Sequence, residues 1–109
     1  MTYLSQFGYY DSEMQHYVLV EVNEDVIARI EVLPEPVETP DTVFLNGILT
    51  NKMIGRTMEH IHISPFSTID YLLELLRDAT EELRVGDKAN LLLWDFVPSS
   101  SGILNKREL

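Results

Sequence analysis

The sequence predicts an α+β domain: a mostly antiparallel five-stranded sheet in the order β-β-β-β-α-β, with one main helix on one face. Three observations predict it. Apolar runs rich in valine and isoleucine recur up to residue 64, one stretch at 67–85 has helical spacing, and a last apolar run at 89–97 stops before Pro98. The expected boundaries are one domain over 1–98 and a polar tail over 99–109.

The elements follow in order. Residues 15–33, QHYVLVEVNEDVIARIEVL, read as a hairpin with β-branched arms. A two-residue turn sets Val20 against Ile27 and Val18 against Arg29, which mixes the faces. A three-residue turn over 23–25 sets Val22 against Val26, Val20 against Ala28 and Val18 against Ile30, so it is the expected register. A short helix around YYDSEMQ is an alternative for the stretch before the hairpin. PEPVETPD, with its three prolines, excludes a central strand or helix interior and reads as an exposed connection. TVFLNGILT is the third strand, with Gly47 a candidate bulge, and TMEHIHIS is the fourth.

The helix is marked at both ends. Ser67 is placed to cap it, Asp70 sits at the third helical position beside the positive end, and Gly86 follows the last turn. Ile69, Leu72, Leu73, Leu76, Thr80 and Leu83 form its apolar stripe. In ANLLLWDFV, Leu91, Leu93 and Val97 alternate with Leu92, Trp94 and Phe96, so this strand is apolar on both faces. An open sheet in water alternates more cleanly. The second face, on which Trp94 is placed, therefore needs a cover: the N-terminal YLSQFGYY, the tail, a twin subunit or a partner protein.

Charge narrows the function. Eighteen acids oppose eight bases, for a net charge of −10. Nucleic acid and anionic membrane surfaces are repelled, whereas a basic protein is attracted. The absence of cysteine excludes disulfides and thiol chemistry. The N-terminal residues show no signal-peptide pattern and no run reaches a membrane span, so a cytoplasmic location is expected. Residues 1–41 hold nine acids against Arg29 alone. Glu21, Glu24, Asp25, Glu31, Glu35, Glu38 and Asp41 cluster on the hairpin and the proline-rich connection, where loops commonly carry binding. Asp78 and Glu82 belong to a carboxylate ridge along the helix.

His60 and His62 point to one side of their strand, as two metal ligands would. A zinc site needs three or four ligands, and His16, the remaining histidine, falls on the other side of the sheet. No phosphate loop, nucleophile elbow or His-Glu-x-x-His element occurs. No catalytic residue, metal or cofactor is therefore expected. The composition implies a small acidic inhibitor of a basic protein, in style, though by no shared motif, like the immunity proteins and antitoxins that neutralise nuclease toxins. Tyr17, Phe44, His60, His62, Trp94 and Phe96 are the candidate interface residues beside the acids. The alternatives are a homodimer or other homo-oligomer paired through the second face, and a metal enzyme built on His60 and His62.

Overall fold

The computed structural model describes residues 1–37, 40–53, 60–62, 69–96 and 103–109. Ser67 as helix cap and Glu38 of the acidic cluster lie outside them. The chain is a single-domain α+β fold with strands β1 (Thr2–Tyr10), β2 (Glu13–Asn23), β3 (Val26–Val32), β4 (Thr42–Thr50), β5 (His60–His62), β6 (Leu92–Phe96) and β7 (Ile103–Glu108), and one short helix, α1 (Ile69–Ala79). The sheet is mixed, in the order β3-β2-β1-β4-β6-β7-β5. Every neighbouring pair is antiparallel except β1 with β4.

Two of these strands are additions to the expected five. The N-terminal stretch is no cover for the sheet but an interior strand of it, paired on both edges. It escapes period-two reading because the hairpin changes face halfway along. Tyr17 takes φ 59°, a left-handed backbone in a strand, opposite Gln6 of β1. The β1–β4 register slips by one residue at the same level, opposite Asn46 and Gly47, where the bulge is expected. A Cβ at Gly47 would collide with the Trp94 carbonyl, so only glycine fits. The segment read as a tail enters the sheet as β7, between β6 and β5.

The expected three-residue hairpin turn is also corrected. Asn23 pairs with Val26, and the turn is Glu24–Asp25, with φ of 51° and 63°, the type I′ arrangement. A register shift beside Ala28 then sets Val20 opposite Ile30 and Val18 opposite Val32, so the bulge restores the apolar face. Asp11 and Ser12, with φ of 55° and 62°, turn β1 into β2 in the same way, in place of the alternative helix.

Both faces are covered from within the chain. On one, Ile48 and Trp94 pack against Leu76 of α1, with Phe7 and Met14 at the margin. Trp94 is fully buried and its Nε1 donates to Thr50 Oγ1 at 3.2 Å, so it lies under the helix rather than on the opposite face. On the other, Val18, Val20, Leu45, Leu49 and Leu93 form a second cluster, closed by Ile27, Leu83 and Leu91. α1 ends at Ala79, earlier than its apolar spacing suggests. Leu83, predicted as part of the helical stripe, instead joins the second cluster, and Gly86, at φ 94°, serves a turn in the crossing segment rather than the helix end.

Residues 80–91 thus cross from the end of α1 to β6 and serve as the second cover. Their backbone bonds reach Tyr9 (Leu83 N to Tyr9 O, 2.8 Å) and the free edge of β3 (Gly86 N to Ile27 O, 2.8 Å; Ile27 N to Asp87 O, 2.9 Å). Asn51, 1% exposed, ties this segment to β4, its side chain donating to Lys88 O at 3.2 Å and accepting from Asn90 N at 2.9 Å. No helix among the described residues is long and apolar enough to cross a membrane.

Candidate functional site

The strands carry charge of different character to the two ends of the sheet. At one end lies the Glu24–Asp25 turn. Ala89 N donates to Asp25 O at 2.8 Å, so backbone bonds hold the turn, and both side chains are exposed without a bond to any described residue. Beneath it is a hollow of about 310 Å³ whose floor includes Tyr3, Val22, Ala89 and Leu91. Glu31, Glu35 and Asp41 are exposed, and Glu21 is half-buried. Arg29 lies 3.6 Å from Glu21 and 3.9 Å from Glu31. Met1, whose ammonium donates to Val22 O, also lines the hollow, and the backbone of Lys88 bridges to Val26 beside the turn. Phe44 is 54% exposed and shares a cross-strand row with Leu4, Leu19 and Glu31.

At the other end, a polar cleft of about 600 Å³ lies between the Asp11–Ser12 turn, the end of α1 and the crossing segment. Lys52, Arg77, Arg84 and Lys88 line it, half of the chain's eight lysines and arginines. Glu82 is largely committed: its carboxylate accepts from Ser12 N at 2.7 Å and from Arg84 Nε at 3.0 Å. Burial alone would raise its pKa, but the Ser12 backbone bond and the Arg84 guanidinium together bring it below the ordinary carboxyl value. The same partnership raises Arg84 above its ordinary value. Arg77 donates to Ser12 O at 3.3 Å, so Glu82 and Arg77 hold the turn from its two backbone groups. Lys52 lies 3.8 Å from Glu81.

The predicted site residues therefore separate. Glu24 and Asp25 form the β2–β3 turn with Glu21 near it, whereas Glu31 stands farther along β3 opposite Leu19. Glu35 follows the far end of that strand, beyond Leu33, whose N–H donates to Tyr17 O, and Asp41 precedes β4. Asp78 is exposed on α1, whereas Glu82, expected on the partner-binding ridge, is engaged inside the cleft. Trp94, expected on the second face and buried or interfacial there, is buried, but in the core beneath α1. Tyr17 stacks on His16 with ring centroids 3.9 Å apart, and His16 on Phe7 at 4.8 Å. The turned backbone at Tyr17 thus carries His16 off the Val18–Val20 face where alternation puts it. His60 and His62 lie on the edge strand β5, opposite Asn105 and Ile103, and Phe96 ends β6. β5 is five places from β2 in the sheet, so His16 is remote from the pair. Among the described residues no three His, Asp or Glu side chains converge as metal ligands.

The cleft residues escaped sequence reading. Lys52, Arg77, Arg84 and Lys88 share no local pattern, and only the packing of the crossing segment brings them together. Comparison with protein-family models, curated proteins and solved structures finds no match.

Proposed function

We propose that this protein is an acidic protein-binding module that masks a basic surface on a partner protein, as an inhibitor or immunity protein masks a nuclease. The observation that carries this reading is the pair of exposed carboxylates, Glu24 and Asp25, at the rim of a hollow lined by Tyr3, Val22, Ala89 and Leu91 together with Met1, whose ammonium is engaged on Val22 O, and Leu109. A lysine or arginine entering it lays its methylenes on Tyr3, Val22 and Leu91 and ends at the two carboxylates. The neighbouring acids extend the attraction outward and steer encounter. Exposed Phe44 and Val43 offer apolar contact at the same end of the sheet. The uncovered second face that motivated pairing with a twin is met by residues 80–91, which leaves the homodimer without its main support.

The test begins with recovery of the tagged protein from its host and identification of what it carries down. Calorimetric titration of that purified partner then compares the native chain with a Glu24→Gln, Asp25→Asn double variant. Affinity at least about tenfold weaker is expected, equivalent to ~1.4 kcal/mol. Equal affinity, or a partner without a basic surface, overturns the reading.

A further inference from the structure

We propose that the cleft at the β1–β2 end binds a small phosphate monoester, held by Arg77, Lys88 and the hydroxyl of Tyr9. This proposal does not rest on the protein-binding reading. In a chain with net charge −10, random placement would give a cleft lined mainly by acids. This one brings together four bases and three acids, Glu81, Glu82 and Asp87. The acids are engaged: Glu82 with Ser12 N and Arg84, Glu81 with Lys52, and Asp87 beside Arg84, whose charge it stabilises. What is left open is cationic or a neutral donor.

Lys88 makes no ion pair among the described residues. Arg77 uses one N–H, on Ser12 O, and its planar fork retains the others. Tyr9 lines the cleft at 7% exposure, and its hydroxyl has no partner among the described residues. No buried side-chain polar atom among the described residues lacks a partner, so the unpaired Tyr9 hydroxyl opens to the solvent of the cleft, where it can donate to a ligand acceptor. A phosphate oxygen supplies that acceptor and the charge that Arg77 and Lys88 require. The volume of about 600 Å³ exceeds what a bare phosphate fills and falls in the range of small-ligand pockets, so the ligand carries an organic remainder. Asn90 and the Ser12 hydroxyl are at hand to contact it.

The experiment is a titration of ¹⁵N-labelled protein with phenyl phosphate at constant ionic strength, with benzyl alcohol and sodium chloride as controls. The amides of Ser12, Lys88 and Asn90 are expected to shift saturably with phenyl phosphate alone. Tyr9→Phe and Lys88→Gln are each expected to weaken binding about tenfold while leaving the melting temperature unchanged, since neither group has a described partner; that factor is the lower end of a charge-assisted hydrogen bond. Arg77 is left intact because it also holds the turn. Shifts that do not saturate, or that sodium chloride reproduces, overturn the proposal. So does undiminished affinity in both variants, or preference for N-acetyl-lysine amide over phenyl phosphate, which would mean that the carboxylates govern the cleft.

Discussion

The two type I′ turns share a backbone and differ in what their charges do. Asp11–Ser12 and Glu24–Asp25 both place two non-glycine residues at φ between 51° and 63°. The first turn is held by side chains from elsewhere: Glu82 accepts its N–H and Arg77 donates to its carbonyl. Among the described residues the second is held by backbone, through Ala89 N on Asp25 O. Side-chain charge holds the first turn, whereas the carboxylates of the second are left available. A count of acids and bases along the chain cannot draw that distinction, because it depends on where residues 80–91 cross.

The largest effect is expected at the element both turns depend on. Asn51→Ala removes the two side-chain bonds that fasten the crossing segment to β4 and leaves Lys88 O and Asn90 N without them. Two such losses at a buried position cost about 2–4 kcal/mol. Urea denaturation measures this, and a loss below about 1 kcal/mol would show that the segment is held by its backbone bonds alone.

A smaller loss, confined to the first turn, is expected from Glu82→Gln. A neutral acceptor keeps part of the Ser12 bond but surrenders the ion pair, so about 1 kcal/mol is expected. Its pH dependence has a definite sign. The carboxyl is held below its ordinary value of 4.5 when folded, so its contribution is complete above that value and is lost as pH falls through the folded pKa. Native and variant stabilities should therefore converge in acid. A difference that persisted unchanged at pH 2–3 would mean that Glu82 acts by packing.

How far the sequence reveals this fold depends on local pattern. Thr42–Thr50 is legible to its ends because alternation and flanking residues agree. β2 and β3 are legible as strands but not in register, since Glu24 and Asp25 adopt a backbone that ordinarily announces itself with Asn-Gly or Asp-Gly. β1 is obscured by the change of face at Gln6 and Tyr17, and β7 by its polar Asn105–Lys106–Arg107 run. The acidic end was visible because its residues are contiguous. The basic cleft was not, because Lys52, Arg77 and Lys88 approach one another only through the tertiary crossing.

Glycine sharpens the comparison of the turns. Positive φ costs a non-glycine residue roughly 1–2 kcal/mol, less for Asp. Ser12→Gly and Asp25→Gly are each expected to add about 0.5–1 kcal/mol of stability after the added entropy of the unfolded chain. Their consequences for a partner should part: Asp25→Gly slows association and Ser12→Gly does not. Equal slowing in both would place the partner's contact elsewhere.

The smallest change in stability should accompany the largest change in encounter. Glu24, Asp25 and Glu35 are exposed, and none has a side-chain bond to a described residue. Replacing them together with Glu38 by Gln or Asn should shift stability by no more than about 0.5 kcal/mol per site, and removing repulsion among like charges opposes even that loss. Steering charges act chiefly on the association rate and its salt dependence, whereas a desolvated pair acts on dissociation. Stopped-flow mixing with the recovered partner should therefore find the quadruple variant slower at low salt. The two rates should meet near 1 M salt, where the Debye length falls to ~3 Å. Charge reversal at exposed Asp78, on α1, provides the comparison and should leave the rate nearly unchanged. If the quadruple variant dissociates faster yet associates at the native rate, the carboxylates act inside the hollow and not at a distance. If neither rate moves, the excess of acid serves solubility, and the Glu24–Asp25 turn is as structural as its counterpart at the other end of the sheet.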